Sequence, residues 1–198
     1  ESFPRGAIPG ECLHRILEKI DIKECVKEKT NKNIIEDELK KSAIDISFVE
    51  SVQESIQRVL NIPLGGELRK LRFKDLNPEQ IRREVSFDLS LAIKRIAITT
   101  KDLVDVLKTY PDNQFTKSYI NQLQKLDIHS QGFLTGSIDL IFNQTTGDEE
   151  PRWWIADWKS NWLGNFSKER NLYCCEARYY NDLALEKEME KHHYTLQG

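Results

Sequence analysis

The sequence predicts one α/β domain, because apolar residues recur at helical spacing in some segments and alternate at strand spacing in others. At 198 residues with 39% hydrophobic content, the chain is long enough to close one core, and two full domains would be crowded. The sequence has no internal repeat and no low-complexity tract. We therefore expect residues 1–198 to form a single domain.

Several segments have the helical period. Residues 13–20 predict an amphipathic helix that starts near Pro9-Gly10 and carries His14, and residues 48–60 predict a second helix that ends at the turn residues 61–66. Residues 101–108 predict a helix with Thr100 as N-cap. From about residue 181 the chain is helix-prone, and we expect it to stop within that C-terminal helix. In contrast, the charged stretch 25–41 has few large apolar groups and is predicted to be a mobile or peripheral insertion.

Three segments have strand character. Val85, Phe87, Leu89 and Leu91 alternate with polar residues, which predicts a half-buried strand with Glu84 on its polar face. Residues 132–142 and 152–159, separated by the polar residues 143–151, predict two strands joined by a turn. The elements together favour a sheet with helices packed against it.

Charge and composition exclude some classes of protein. The formal net charge is -3, so the chain lacks the basic excess of a protein that coats nucleic acid, and any DNA contact must be local. No apolar run approaches the roughly 20 residues that cross a bilayer, and residues 1–6 lack signal-peptide features. The sequence thus predicts a soluble, cytoplasmic protein without a membrane partner. Its four cysteines form no CxxC pair, which favours reduced thiols over a zinc site or a disulfide framework.

The residues with chemistry lie on the two predicted C-terminal strands. Asp157 and Lys159 are two residues apart and share one face at roughly 6.5 to 7 Å, while Trp158 points away. If the strands pair as a hairpin, Asp139 and Asp157 meet at one place. Two carboxylates and a lysine suit phosphodiester hydrolysis, with Mg²⁺ held by carboxylate oxygens and a water oriented by Lys159. A plain salt bridge between Asp157 and Lys159 is the alternative interpretation.

Four short motifs resemble the nuclease domain of the RecB family, the beta subunit of exodeoxyribonuclease V, within the PD-(D/E)xK superfamily. Gly10 and His14 are similar to the family's G-x-x-x-H helix, and Gly136-Ser137-Ile138-Asp139 to its G-x-I-D. The run Asp157-Trp158-Lys159-Ser160-Asn161-Trp162-Leu163-Gly164 is similar to D-Y-K-[ST]-N-x-L-G. Tyr194 to Gln197 resemble the start of the Q-x-x-x-Y helix, whose tyrosine would lie past Gly198.

The resemblance implies a restriction-endonuclease-like fold, with a mixed central sheet flanked by helices. It implies that His14, Asp139 and Asp157 bind Mg²⁺ together with the backbone carbonyl of Trp158, that Lys159 is the catalytic lysine, and that Mn²⁺ or Ca²⁺ can substitute in binding. It also implies the DNA nuclease domain of a helicase-nuclease subunit in double-strand-break processing and recombinational repair. Such a domain hydrolyses single strands from unwound ends, which the attached ATP-driven helicase motor feeds to it. The implied partners are RecC-like and RecD-like subunits and RecA.

Further residues have two interpretations each. Without the resemblance, His14 would be an ordinary helix-flank histidine. Glu84 is either an accessory metal ligand or an exposed strand residue, and Gln197 either assists the site or lies on an exposed helix face. Among the tryptophans, Trp162 is the best candidate for stacking on DNA bases, whereas core packing is expected for Trp153 and Trp154.

Two other functions remain open at this point. The chain is alternatively a non-catalytic docking module for RecA or partner subunits, in which case the intact domain would not bind Mn²⁺. It is alternatively a stand-alone nuclease of the CRISPR-adaptation type. Such nucleases carry an iron-sulfur cluster, but the adjacent Cys174 and Cys175 lack the spacing for one.

Overall fold

A computed structural model describes residues 3–23, 28–68, 70–91, 97–109, 117–145, 150–164, 166–168, 172–173 and 181–194. These residues form helices and antiparallel strands, which confirms the predicted α/β class. The helices are α1 (Ala7–Lys19), α2 (Glu28–Lys41), α3 (Val49–Asn61), α4 (Thr100–Thr109), α5 (Lys117–Leu123) and α6 (Asp182–Lys191). The strands are β1 (Ile81–Ser90), β2 (Ile98–Thr99), β3 (His129–Ser130), β4 (Phe133–Gln144), β5 (Arg152–Ala156), β6 (Phe166–Ser167) and β7 (Leu172–Tyr173).

The chain divides into two compact units. The first contains Glu1–Val85 and Ile138–Asn161, and the second contains Ser86–Ser137 and Trp162–Gly198. Strands β1, β4 and β5 form a three-stranded sheet of order β1-β4-β5. That residues 1–198 act as a single domain stays a prediction.

Helices α1 and α3 of the first unit confirm the predictions from periodicity. Helix α1 buries Cys12 and Ile16, and α3 buries a stripe that includes Val52, Ile56 and Leu60. These side chains join the same core as the inward residues of the sheet. The apolar stripes therefore decide which face of each helix packs inward and which side chains, His14 among them, lie at its margin.

The prediction of a mobile or peripheral insertion at residues 25–41 is wrong for residues 28–41, which form helix α2. Ile35 and Leu39 are buried in the core of the first unit. The buried side chain of Glu38 accepts hydrogen bonds from Arg15, Lys19 and Lys41. Most residues of this helix are polar or charged, but the Glu38 carboxylate is paired with cations on the face that packs against the core. Composition alone does not reveal this pairing.

Strands β4 and β5 pair as the predicted antiparallel hairpin. Phe142 pairs with Trp154 and Leu140 with Ala156, and these four side chains face the core. Trp154 thereby confirms the prediction of core packing. For Trp153 the same prediction is wrong: its side chain is 63% exposed, because strand alternation puts it on the opposite face.

The second unit has a small core of its own, formed by Val104, Tyr119, Ile120 and Leu123. Helix α4 matches its predicted position, but the capping hydroxyl is that of Thr99 rather than Thr100, since it accepts a hydrogen bond from the Asp102 N–H.

The C-terminal helix α6 also belongs to this unit. It begins after its N-cap Asn181 and ends at Lys191, so the helix predicted from residue 181 to the end of the chain is shorter within the described residues. Among those residues, no helix is both long and apolar enough to cross a membrane.

Candidate metal centre

Helix α1 approaches the segment after β5 closely. A Cβ atom added to Gly10 would lie 2.9 Å from the Ser160 Oγ, nearer than side chains normally pack. His14 follows Gly10 by one helical turn, so both lie on the same side of α1. The glycine of the G-x-x-x-H motif therefore has a physical role: it lets the helix that carries His14 come close to the segment that carries Asp157 and Lys159.

Asp139 is the centre of the site and is held from two sides. One of its carboxylate oxygens accepts a 2.6 Å hydrogen bond from the Trp158 N–H, and the other lies 3.5 Å from the His14 Nδ1. The Asp139 side chain is 11% exposed. Its orientation is therefore set by backbone on one side and by an imidazole on the other.

Glu84 joins this pair. One ligand atom from each of His14, Glu84 and Asp139 lies within 4.8 Å of the others, and all three residues are half-buried. Glu84 has a φ of 47°, in the left-handed region that non-glycine residues seldom adopt. The three consecutive half-buried residues 83–85 show that regular alternation fails there. The structure thus brings Glu84 to His14 and Asp139, where sequence alternation indicated only a polar strand face.

Asp157 and Lys159 lie beside this group. Continuing the β4–β5 register by one position puts Asp157 opposite Asp139, as the predicted hairpin required. In the described residues, however, Asp157 is not part of the set that offers ligand atoms within 4.8 Å. Its carboxylate contacts the Lys159 ammonium instead. The structure therefore contains the Asp157–Lys159 ion pair, and the metal-binding role of Asp157 stays a prediction.

Arg83 holds the other end of α1, a contact that the sequence did not predict. Its guanidinium donates hydrogen bonds of 2.7 and 2.6 Å to the carbonyl oxygens of Glu18 and Ile20. Burial lowers the pKa of Arg83, and the nearby Asp21 and Glu18 act in the opposite direction. Since Arg83 precedes Glu84, these two hydrogen bonds connect the C-terminal end of α1, the helix that carries His14, to strand β1, which carries Glu84.

The remaining predicted residues have separate outcomes, and the metal-binding role of the Trp158 backbone carbonyl stays a prediction. The Trp158 side chain packs away from the site, with its ring centroid 5.0 Å from that of Phe73, as alternation predicted. Trp162 is half-buried and belongs to the second unit, so its contact with DNA stays a prediction. Gln197, Cys25, Cys174 and Cys175 lie outside the described residues.

The chain is similar to RecB subunits over nearly its whole length. It is 28% identical over 195 residues to the RecBCD enzyme subunit RecB of Escherichia coli (strain K12), which covers 98% of this chain and 14% of that protein. The corresponding subunit of Haemophilus influenzae is 28% identical over 196 residues, and that of Buchnera aphidicola subsp. Baizongia pistaciae is 27% identical over 197 residues. No protein-family model matches the chain.

The chain spans about 14% of the length of the relatives that it matches, and the matched part is their C-terminal region. These matches confirm the predicted resemblance to RecB. The matched stretch extends over both units and covers 98% or more of the chain.

Proposed function

We propose that this chain is a RecB-type nuclease domain that hydrolyses DNA phosphodiester bonds with a divalent metal ion. The observation that supports it most is the convergence of His14, Glu84 and Asp139, with ligand atoms within 4.8 Å of one another. Similarity to RecB subunits over 98% of the chain supports the same function independently.

The donor set fits Mg²⁺ or Mn²⁺. In an octahedral site with bonds of about 2.1 Å, opposite ligand atoms lie about 4.2 Å apart and neighbouring ones about 3 Å, so three ligand atoms within 4.8 Å of one another need to approach by less than about 2 Å. Carboxylate oxygens suit both ions, and the imidazole nitrogen favours Mn²⁺ over Mg²⁺. When bound, the ion would polarise the scissile phosphate and make a water more acidic.

The chain's own groups have separate tasks in this proposal. The Trp158 N–H fixes Asp139, so that one carboxylate oxygen is held and the other faces His14. Asp157 would be a further acidic ligand in this proposal. The Lys159 ammonium, which contacts Asp157 in this structure, would donate hydrogen bonds to the attacking water or to a phosphate oxygen and would offset the charge that grows in the transition state.

By analogy with the RecBCD name of its relatives, we propose that the chain acts within an assembly that has RecC-like and RecD-like subunits. Its substrate would be single-stranded DNA released from broken ends, and its process double-strand-break repair in the cytoplasm. RecA is a further proposed partner.

Asp157→Ala in the intact protein tests this function. We expect metal-dependent cleavage of a DNA oligonucleotide to be abolished, because an acidic ligand and the partner of Lys159 are lost together, while ATP-driven unwinding continues. If cleavage persists, the proposed reaction is wrong. If cleavage and unwinding are lost together, Asp157 is a structural residue.

A further inference from the structure

The open face of the β4–β5 hairpin carries two large apolar side chains in line with the candidate metal centre. Trp153 is 63% exposed and Ile155 is 53% exposed. Both lie on the same face of β5, because residues two apart on a strand point to the same side. Asp157 is the next residue in this row, so the row leads from Trp153 to the acidic groups.

The opposite face of the same hairpin shows that this exposure is specific to one side. Leu140 and Phe142 on β4 are 1% and 2% exposed, and Trp154 packs against the core. Strand β5 is also an edge of the sheet, since the strand order is β1-β4-β5. Single exposed apolar residues are common on protein surfaces, but a tryptophan and an isoleucine side by side at a sheet edge form a surface that favours association.

We propose that Trp153 and Ile155 form a platform on which the bases of single-stranded DNA stack next to the scissile phosphate. The inference rests on the proposed nuclease function. A strand advances about 3.3 Å per residue, so Ile155 lies roughly 7 Å and Trp153 roughly 13 Å from Asp157 along β5. With stacked nucleotides about 3.4 Å apart, Trp153 meets a base no more than about four nucleotides from the cut.

The size and charge of the platform favour a nucleic acid strand over a protein. A tryptophan and an isoleucine offer on the order of 200 to 300 Å² of surface, far below the roughly 800 Å² per partner of a stable protein interface, whereas one ring suffices to stack one base. On β4, Ile141 lies opposite Ile155 and Asn143 opposite Trp153. These two neighbours carry no charge, and the Asn143 amide offers a hydrogen-bonding group beside the ring. The acidic groups lie at the Asp157 end of the row, where the proposed metal ion would offset their charge.

The platform is tested without catalysis by measuring the affinity of the intact protein for a labelled single-stranded oligonucleotide. A metal chelator is present, so that no cleavage occurs. Trp153→Ala should weaken binding by about tenfold, within the range measured for loss of one base-aromatic stack, and Trp153→Phe should restore most of it. Ile155→Ala should also weaken binding, and Ile62→Ala is its matched control, which should leave binding unchanged. Ile62 is also an exposed isoleucine, at 60%, but it lies after α3 rather than on the sheet.

The position of the platform is tested by abasic nucleotides placed one at a time near the cut. In the unsubstituted protein, one abasic site within about four nucleotides should raise KM about tenfold with little change in kcat, and Trp153→Ala should make the enzyme insensitive to it. Equal sensitivity in both proteins would overturn the platform.

Failure of the platform is distinguishable from failure of the proposed function. If Trp153→Ala binds the oligonucleotide normally while Asp157→Ala abolishes cleavage, the nuclease stands and the platform is wrong. If Trp153→Ala instead releases a protein subunit from the assembly with unchanged oligonucleotide binding, the platform is overturned in favour of a protein-docking face.

Discussion

The first unit has two largely buried carboxylates beside helix α1, and their surroundings differ in charge. Glu38 is 2% exposed and receives hydrogen bonds from three cations, Arg15, Lys19 and Lys41. Asp139 is 11% exposed, and its neighbours are an imidazole, the Glu84 carboxylate and one backbone N–H. Three cations of the protein pair with the first carboxylate, whereas the second lies among the groups that we propose bind a metal ion.

We propose that this difference separates a structural carboxylate from one that binds a metal ion. Removing a buried carboxylate takes that partner from its cations, which is destabilising. Carboxylates that lie close together repel each other, and a bound cation would relieve this repulsion. The same helix serves both sites, since α1 contributes Arg15 and Lys19 to one and His14 to the other.

The largest expected effect distinguishes the two sites by activity. Asp139→Asn should lower the rate of metal-dependent DNA cleavage by more than about 100-fold, the upper range reported for groups around a metal ligand, because a ligand itself is lost. The asparagine oxygen can still accept the Trp158 N–H, so circular dichroism should be unchanged. Cleavage at the normal rate by Asp139→Asn would remove this carboxylate from the reaction.

Glu38→Gln is the matched substitution at the paired carboxylate. It should lower the free energy of unfolding by about 1 to 3 kcal/mol, because the buried position of Glu38 loses its charge, while Arg15, Lys19 and Lys41 are each more than a third exposed and keep water as a partner. Urea denaturation measures the change, and Mn²⁺ affinity below the transition should stay normal. A loss of Mn²⁺ affinity without a loss of stability would reverse the roles assigned to the two carboxylates.

The two carboxylates can also be separated by pH. Burial alone would raise the pKa of Glu38, but the hydrogen bonds from Lys19, Lys41 and Arg15 outweigh it and lower that pKa from 4.5 to about 2. Because the folded-state pKa is the lower one, the contribution of Glu38 to stability is full above pH 4.5 and disappears as the pH falls toward 2. Unfolding free energies between pH 6 and pH 3 should decline more steeply in the unsubstituted protein than in Glu38→Gln, and parallel curves would contradict the assignment.

The smallest expected effect concerns the approach of α1 to the metal centre. Gly10→Ala puts a methyl group against the Ser160 Oγ. It should weaken Mn²⁺ binding by about tenfold, the lower end of the range for substitutions of residues that position metal ligands. Adding Ser160→Ala removes the clashing oxygen and should restore affinity. Since alanine favours helices by about 1 kcal/mol over glycine, stability should not fall in parallel. A double variant that binds Mn²⁺ no better than Gly10→Ala would exclude this steric explanation.

Periodicity predicted the elements that carry the site. Helix α1 with His14 and the β4–β5 hairpin with Asp139 follow from local spacing, and the hairpin register places Asp157 opposite Asp139. For Glu84 the sequence left two interpretations open, an accessory metal ligand and an exposed strand residue. The structure places it with His14 and Asp139, where its left-handed backbone breaks the strand alternation.

The two clear errors have a common cause. Helix α2 was predicted to be peripheral because composition cannot reveal that three cations converge on Glu38. Trp153 was predicted to be buried because large aromatic residues usually are, although Trp154 takes the inward position on β5. In both cases, partners distant in sequence decide the burial of a residue.

Calorimetric titration with Mn²⁺ tests the central claim most directly, because it measures binding of the proposed metal ion without requiring DNA or helicase activity. We expect one or more ions to bind the unsubstituted protein and Glu38→Gln alike, and His14→Ala, Glu84→Gln and Asp139→Asn each to weaken binding by more than about tenfold. Equal Mn²⁺ binding by all five proteins, or none by the unsubstituted one, would contradict the account and favour a docking module.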